Sequence, residues 1–261
     1  MLVTLLGDVR RSYADLRGFQ DRLSIAEQNI AVARDTVSLT QSLARAGQAT
    51  QRDVAQAESQ LESVSAQVPV LRSRIALSIH RLAVLTGQQP QALDAELAER
   101  APGLIAPPDV PTGLPSDVRE HRPDIQRPGA TGRRHRPHQR SQGRLLAIQD
   151  ARAKQASAVV QSTLLGALEE TENALVNYAC EQDRCGRLEA AVRASQTALE
   201  LANVQYRAGL TYFLTVLDSE RDLYGSQDLL AASQAAIATD LIALYKALGG
   251  GWPISPRAAA N

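Results

Sequence analysis

Aromatic side chains make up only 3% of this 261-residue chain, with one Trp, two Phe and six Tyr. That scarcity argues against a β-sandwich core and against a surface that stacks bases. Two cysteines cannot staple a chain of this length, which excludes a disulfide scaffold. Neither sign of charge is in excess, because 28 Lys and Arg balance 28 Asp and Glu. A zero balance argues against nucleic-acid binding by bulk charge. No uninterrupted run of 18 apolar residues occurs, so no transmembrane helix is predicted. Met1 to Arg11 lacks a basic start and a small-residue cleavage site, and does not read as a signal peptide. What is present is a 44% apolar fraction built mostly of Ala, Leu and Val. That is too much for a disordered chain, and its Ala and Leu content favours long helices.

Period is the strongest signal. Apolar residues recur every seven positions at Leu2, Val9, Leu16, Leu23, Ile30, Val37 and Ala44. No Pro precedes Pro69, so a helix of roughly 65 Å is predicted, at 1.5 Å per residue. A strict seven-residue repeat implies a left-handed seam against other helices. The pattern breaks at Arg45-Ala46-Gly47-Gln48-Ala49-Thr50, where Gly47 suits a C-cap and Thr50 an N-cap. A second helix carries Val54, Leu61, Val68, Ile75 and Leu82, with a parallel seam through Ala57, Val64, Leu71 and Leu85, and stops at Gly87. Pro69 removes one backbone donor and is expected to kink it.

The second half repeats the plan. Arg207-Ala208-Gly209 echoes Arg45-Ala46-Gly47 at an offset of 162 residues. At that offset Val54, Leu61, Val68, Ile75 and Leu82 fall on Val216, Leu223, Leu230, Ile237 and Leu244. The chain is therefore expected to be all-α, a duplicated long coiled-coil helical hairpin that turns each time at an Arg-Ala-Gly tip. Three regions are expected: residues 1–100 as the first hairpin, 101–145 as an intervening segment, and 146–261 as the second hairpin with a C-terminal tail. Ala101 to Pro123 holds six of the 12 prolines and reads as an extended strap. Arg127 to Arg144 holds six Arg, two His, two Pro and three Gly.

Several of these segments, in order, resemble one family. Val110-Pro111-Thr112-Gly113-Leu114-Pro115-Ser116-Asp117 followed by Arg122-Pro123-Asp124-Ile125 is similar to the inter-repeat strap of TolC-like outer-membrane efflux proteins, closest to the lipoprotein branch serving RND-type pumps. Tyr206-Arg207-Ala208-Gly209 and Leu214 to Arg221 resemble that family's second hairpin tip. Leu165 to Leu175 resembles the helix leading to it. The resemblance implies a homotrimeric α-barrel in the periplasm, joined to a shared membrane β-barrel. Its implied function is passive export of drugs or other small molecules across the outer membrane. The implied partners are a periplasmic adaptor and an inner-membrane RND pump, with no cofactor and no nucleic acid.

The same resemblance has gaps. The family's secretion signal, its branch's lipid-bearing Cys and its first strand pair are not found ahead of the first hairpin. No alternating strand pattern lies between Ile125 and Leu146, where the second pair belongs. In GC-rich codons, an Ala-Ala-Thr-Ala-Arg-Ile-Ser run read one base early gives Arg-Arg-His-Arg-Pro-His-Gln, which stands at Arg133–Gln139. A truncated copy, with a frameshift followed by a deletion, is the expectation.

The resemblance assigns the periplasmic gate to Tyr206 and Asp218, with Thr211 and Thr215 at positions that other members fill with charge. In a trimer one Asp per chain makes a ring of negative charge. The alternative for Asp218 is a cap or a solvated helix face. The adaptor-docking tips are Arg45, Ala46 and Gly47, and Arg207, Ala208 and Gly209, where simple turns are the compatible alternative. Cys180 and Cys185, five residues apart without a nearby His, are expected as buried or half-buried thiols rather than metal ligands. No phosphate loop, nucleophile set or paired carboxylates at a strand end are found, so no enzyme is expected. The competing readings are a periplasmic adaptor, which needs strand-rich flanks, a cytosolic coiled-coil scaffold, and an RNA-binder through Arg127 to Arg144. The last lacks interleaved aromatics.

Overall fold

The computed structural model describes residues 2–101 and 142–249. The strap beyond Ala101, the Arg-rich stretch up to residue 141 with the frameshift expected there, and the C-terminal tail from residue 250 lie outside the described residues. Among the described residues the structure is helical and has no strand. The elements are α1 (Leu2–Arg45), α2 (Gln51–Ser65), α3 (Gln67–Leu85), the short α4 (Asp94–Leu97), α5 (Gln142–Arg207) and α6 (Phe213–Ala247).

The helices lie side by side in the order α2 and α3, then α1, then α6, then α5. Both inner helices therefore need two apolar stripes. On α1, Leu16 with Val9 and Tyr13 packs against Ile75, Ile79 and Leu82 of α3. Its other side turns Asp15, Gly18, Phe19 and Arg22 towards Ala232, Ala235, Ala236 and Thr239 of α6. The seven-residue repeat from Leu2 to Ala44 accounts for the first stripe only. An edge helix needs one stripe, and α5 has one. From Ala167 to Tyr206 its buried and half-buried positions alternate in steps of four and three, a coiled-coil seam facing α6. Near the tips the layer curls, so that α2 also meets α6. Val37, Ala57, Ala202, Phe213, Val216 and Leu217 form one apolar cluster there from α1, α2, α5 and α6.

Pro69 interrupts the helix where the kink was expected. It cannot donate to the Ser65 carbonyl, and Ala66 serves both as C-cap of α2 and as N-cap of α3. The helix is thus two helices. Beyond Gly87 the chain turns back along α1, which the periodicity did not foretell. Leu93 and Leu97 pack beside Leu16 and Ile79. Buried Arg17 donates to the Glu99 carbonyl at 2.8 Å, and buried Gln20 to the Leu97 carbonyl at 2.8 Å.

Taken alone, α6 is long and apolar enough to cross a membrane by length and composition, although no uninterrupted apolar run of that length exists. Its apolar residues are used against α1, α2 and α5. Cys185 is buried, while Cys180 is exposed rather than half-buried.

Candidate functional site

Both hairpins turn through the same backbone device. At the first tip Gln48 N–H donates to the Leu43 carbonyl at 2.9 Å, and Gly47 N–H to the Ala44 carbonyl at 3.0 Å. At the second, Leu210 N–H donates to the Gln205 carbonyl at 2.8 Å, and Gly209 N–H to the Tyr206 carbonyl at 2.9 Å. This paired bonding is the Schellman arrangement, which needs a left-handed residue just after the helix. Gly47 and Gly209 supply it with φ of 73° and 70°. The Gly of each Arg-Ala-Gly tip is therefore explained by turn geometry.

The re-entry after each tip differs. Thr50 and Asp53 form a reciprocal capping box, with Thr50 N–H 2.8 Å from Asp53 Oδ2 and Asp53 N–H 3.2 Å from Thr50 Oγ1. At the matching positions stand Tyr212 and Thr215, and Tyr212 makes no side-chain cap bond. Leu210 is 78% exposed and Tyr212 86% exposed. The first tip is thus polar and capped, the second apolar and uncapped.

The four expected gate residues divide into three settings. Tyr206 is half-buried on the apolar cluster, its ring 5.4 Å from that of Phe213. Burial, with the Asp53 carboxylate across the hairpins adding to it, raises the Tyr206 hydroxyl's pKa. Asp218 is exposed and pairs with Arg221 one turn on, at 3.3 Å. Arg221 also reaches Gln60 of α2 at 3.5 Å. Thr211 and Thr215 bond to each other through their hydroxyls at 3.0 Å. Within the chain, no hydrogen bond or ion pair joins Tyr206 to Asp218.

The seam between the hairpins carries polar links that the sequence did not reveal. Asp8, Arg22 and Thr36, fourteen residues apart on α1, meet Lys246, Asp228 and Glu220 of antiparallel α6. Lys246 is 3.3 Å from Asp8. Arg22 holds Asp228 by two bonds of 2.7 and 2.9 Å. Thr36 donates to Glu220 at 2.8 Å. Glu220 is only 2% exposed, and burial raises its carboxyl pKa while the Thr36 bond lowers it. An available signal was a charged residue four positions after Val216, inside the apolar repeat. No group of three or more metal-binding side chains occurs among the described residues.

Residues 2–88 and 141–250 match the model of a family described as outer membrane efflux protein. The chain is 26% identical to nodulation protein T of Rhizobium leguminosarum bv. trifolii, over 96% of this chain and 64% of that protein. It is 28% identical to the pyoverdine export outer membrane protein OpmQ of Pseudomonas aeruginosa, over 96% of this chain and 62% of that one. The chain thus spans less than two thirds of the length of these relatives. Its structure superposes on the outer-membrane channel OprN with a TM-score of 0.82 at 28% identity, covering 96% of this chain and 67% of that one.

Proposed function

The chain belongs to the outer membrane efflux protein family, and from that premise we propose that it serves as the exit-duct component of a tripartite efflux system. Its part is that of a passive conduit for small molecules, with no bond-making chemistry. The observation that carries this reading is the open wall of helices. Among the described residues two edges, α3 and α5, each have a neighbour on one side only. Each presents apolar side chains to solvent: Val70, Leu77 and Val84 on α3, and Leu165, Val176, Leu201 and Val204 on α5. Apolar edges of this extent call for a covering partner. A ring of three copies, α3 edge against α5 edge, covers both with one repeated contact, as a heterologous interface that closes.

In that ring the tips point one way. The second tip, with Leu210, Tyr212 and Leu214 exposed, and the first, with Arg45 and Gly47, form the end at which an adaptor hairpin docks and an RND pump is coupled. Tyr206, Thr211, Thr215 and Asp218 form the constriction at this periplasmic end, with Asp218 supplying a ring of negative charge. Residues 1–100 are read as the first hairpin unit of the duct and 146–261 as the second with its tail, with 101–145 between them. The outer membrane is where the whole family member works. An adaptor or scaffold role is less well supported, because the family match spans both hairpins.

The test is export. A cell lacking its own outer membrane efflux component, but retaining adaptor and pump, is supplied with this chain and loaded with a fluorescent dye. Faster dye loss supports the duct. Unchanged dye retention, with the chain folded and in the envelope, overturns it. Light scattering on the purified chain should give three times its 28.1 kDa mass.

A further inference from the structure

Three buried oxygens without a hydrogen-bond partner lie in a row along α6: Glu220 Oε2, Tyr224 Oη and Gln227 Oε1. Their spacing of four and then three residues sets them on one helix face. Glu220 and Tyr224 are 2% and 7% exposed. This face is the one that meets the first hairpin, since Tyr224 packs between Ile30 of α1 and Val64 of α2. Buried polar atoms are normally satisfied, and each unsatisfied one costs roughly 1–3 kcal/mol, more if charged. An ionised carboxylate is therefore the most expensive occupant of this seam, and a neutral carboxylic acid a much cheaper one.

Among the described groups around Glu220, the Thr36 hydroxyl alone favours its charge. From α1 it meets the Thr36 hydroxyl, while the neighbouring Arg34 and Asp35 are exposed. From α2 the buried residue nearby is Gln60, whose Oε1 accepts from Arg221, and Glu58 and Glu62 are exposed. The adjoining apolar cluster takes Ala202 and Leu199 from α5, and Glu200 beside them is exposed. On α6 itself Arg221 is turned to Asp218 and Gln60, and Tyr224 is neutral with its pKa raised, first by burial and then by Glu220. Among the described residues no cation faces the carboxyl. Asp228, by contrast, faces two Arg22 nitrogens two turns further along the same seam.

The seam is also the one that must slide if the second tip moves. Among the described residues α5 packs only on α6, and α6 joins the second hairpin to the first. We propose that Glu220 is a proton-operated latch between the two hairpins, neutral when the tip end is packed shut and ionised when α6 separates from α1 and α2. Closing takes one proton per chain from solvent and opening returns it. The direction follows from linkage: a state that binds the proton more tightly gains on the open one as pH falls, by up to about tenfold per pH unit per proton. This proposal rests on the duct reading for its physiological meaning, but its physical content does not need it.

The experiment places spin labels on the full chain through Gln48→Cys and Leu210→Cys, both exposed at the two tips, in a background with the native cysteines replaced by Ser. Inter-label distance distributions are recorded from pH 4 to pH 8. The proposal expects the short-distance population to fall as pH rises, with a slope of one proton. It expects Glu220→Gln, which keeps an acceptor for Thr36 but cannot ionise, to hold the short distance at every pH. A distribution in the parent chain that does not change with pH overturns the latch, and so does an unchanged response in Glu220→Gln. Should Glu220→Gln fail to fold by circular dichroism, the carboxyl is titrated directly in the parent by carbon-detected NMR. A midpoint at the ordinary carboxylate value overturns the proposal, and a raised one supports it. Loss of dye export with the latch intact would count against the duct alone.

Discussion

Gly18 of α1 lies against Ala235 of α6 so closely that a methyl group on Gly18 would overlap the Ala235 side chain. Gly18→Ala should therefore cost about 1–3 kcal/mol, the usual range for overpacking, even though Ala is the better helix former. Gly225 of α6 is the control, because a side chain there meets nothing within 4 Å. Gly225→Ala should stabilise by about 0.5–1 kcal/mol. Urea unfolding of both variants gives the answer, and equal signs would contradict the packing described.

That contrast marks what was legible from sequence. The repeat from Val9 to Ala44, the glycines at 47 and 209 and the cap at Thr50 are local patterns, each set by neighbours within a few positions. The sequence therefore carried the hairpins and their tips. It did not carry which faces meet. Gly18 looks like a helix blemish until Ala235 stands beside it, and Glu220 looks solvated until Thr36, 184 positions earlier, is found across the seam. Pro69 announced a bend, but not that the break would fall at Ala66, which stays in right-handed helical geometry and still donates to the Glu62 carbonyl at 2.9 Å. The gate set was inferred from a resemblance, and within one chain its members are held by separate contacts.

The capping difference between the tips can be measured. Thr50→Ala breaks the box with Asp53 and should cost about 1 kcal/mol. Tyr212→Asp with Thr215→Glu supplies the missing cap and first-turn acceptor at the second tip and should add about 0.5–1 kcal/mol. Thermal melts should move in opposite directions. A gain from Thr50→Ala would show that the box contributes nothing.

Stability should depend on pH in an unusual sense. Asp15, Glu220 and Asp240 all have pKa values raised chiefly by burial. A carboxyl whose folded pKa exceeds its unfolded value favours the folded state below the unfolded value, and that favour is lost as pH rises through the folded one. The chain should thus be more resistant to urea near pH 4.5 than at pH 7.5. Replacing Asp15 and Asp240 by Asn and Glu220 by Gln should flatten the difference. A steeper loss in acid than in the parent would refute it.

The link between Arg22 and Asp228 differs from the other ion pairs in geometry. It is bidentate, with side chains 27% and 32% exposed, whereas Arg187 and Asp183 are 79% and 67% exposed. Asp228→Ala should cost roughly 1 kcal/mol, at the upper end for a partly screened pair. Asp183→Ala should fall within about 0.5 kcal/mol of zero. Raising salt should narrow the gap between the two variants, because the exposed pair is already screened. Equal losses would show that seam position gives the bidentate pair no advantage.

The two edges of the wall allow assembly to be separated from folding. Leu77 on α3 is 60% exposed and Val176 on α5 is 58% exposed, so neither side chain contributes much to the packing of its own chain. Leu77→Asp and Val176→Asp should each leave the unfolding free energy of the isolated chain within about 0.5 kcal/mol. In a ring the same carboxylate is buried at each of the interfaces between copies, without a partner, and such a charge is strongly disfavoured. Either substitution alone should abolish the trimer, because a heterologous contact needs both edges. Mixing the two variants should restore one sound junction, Val176 of the first against Leu77 of the second. Dimers are then expected where each variant alone gives monomers. Light scattering on the separate and mixed samples distinguishes this from simple misfolding, which mixing would not repair.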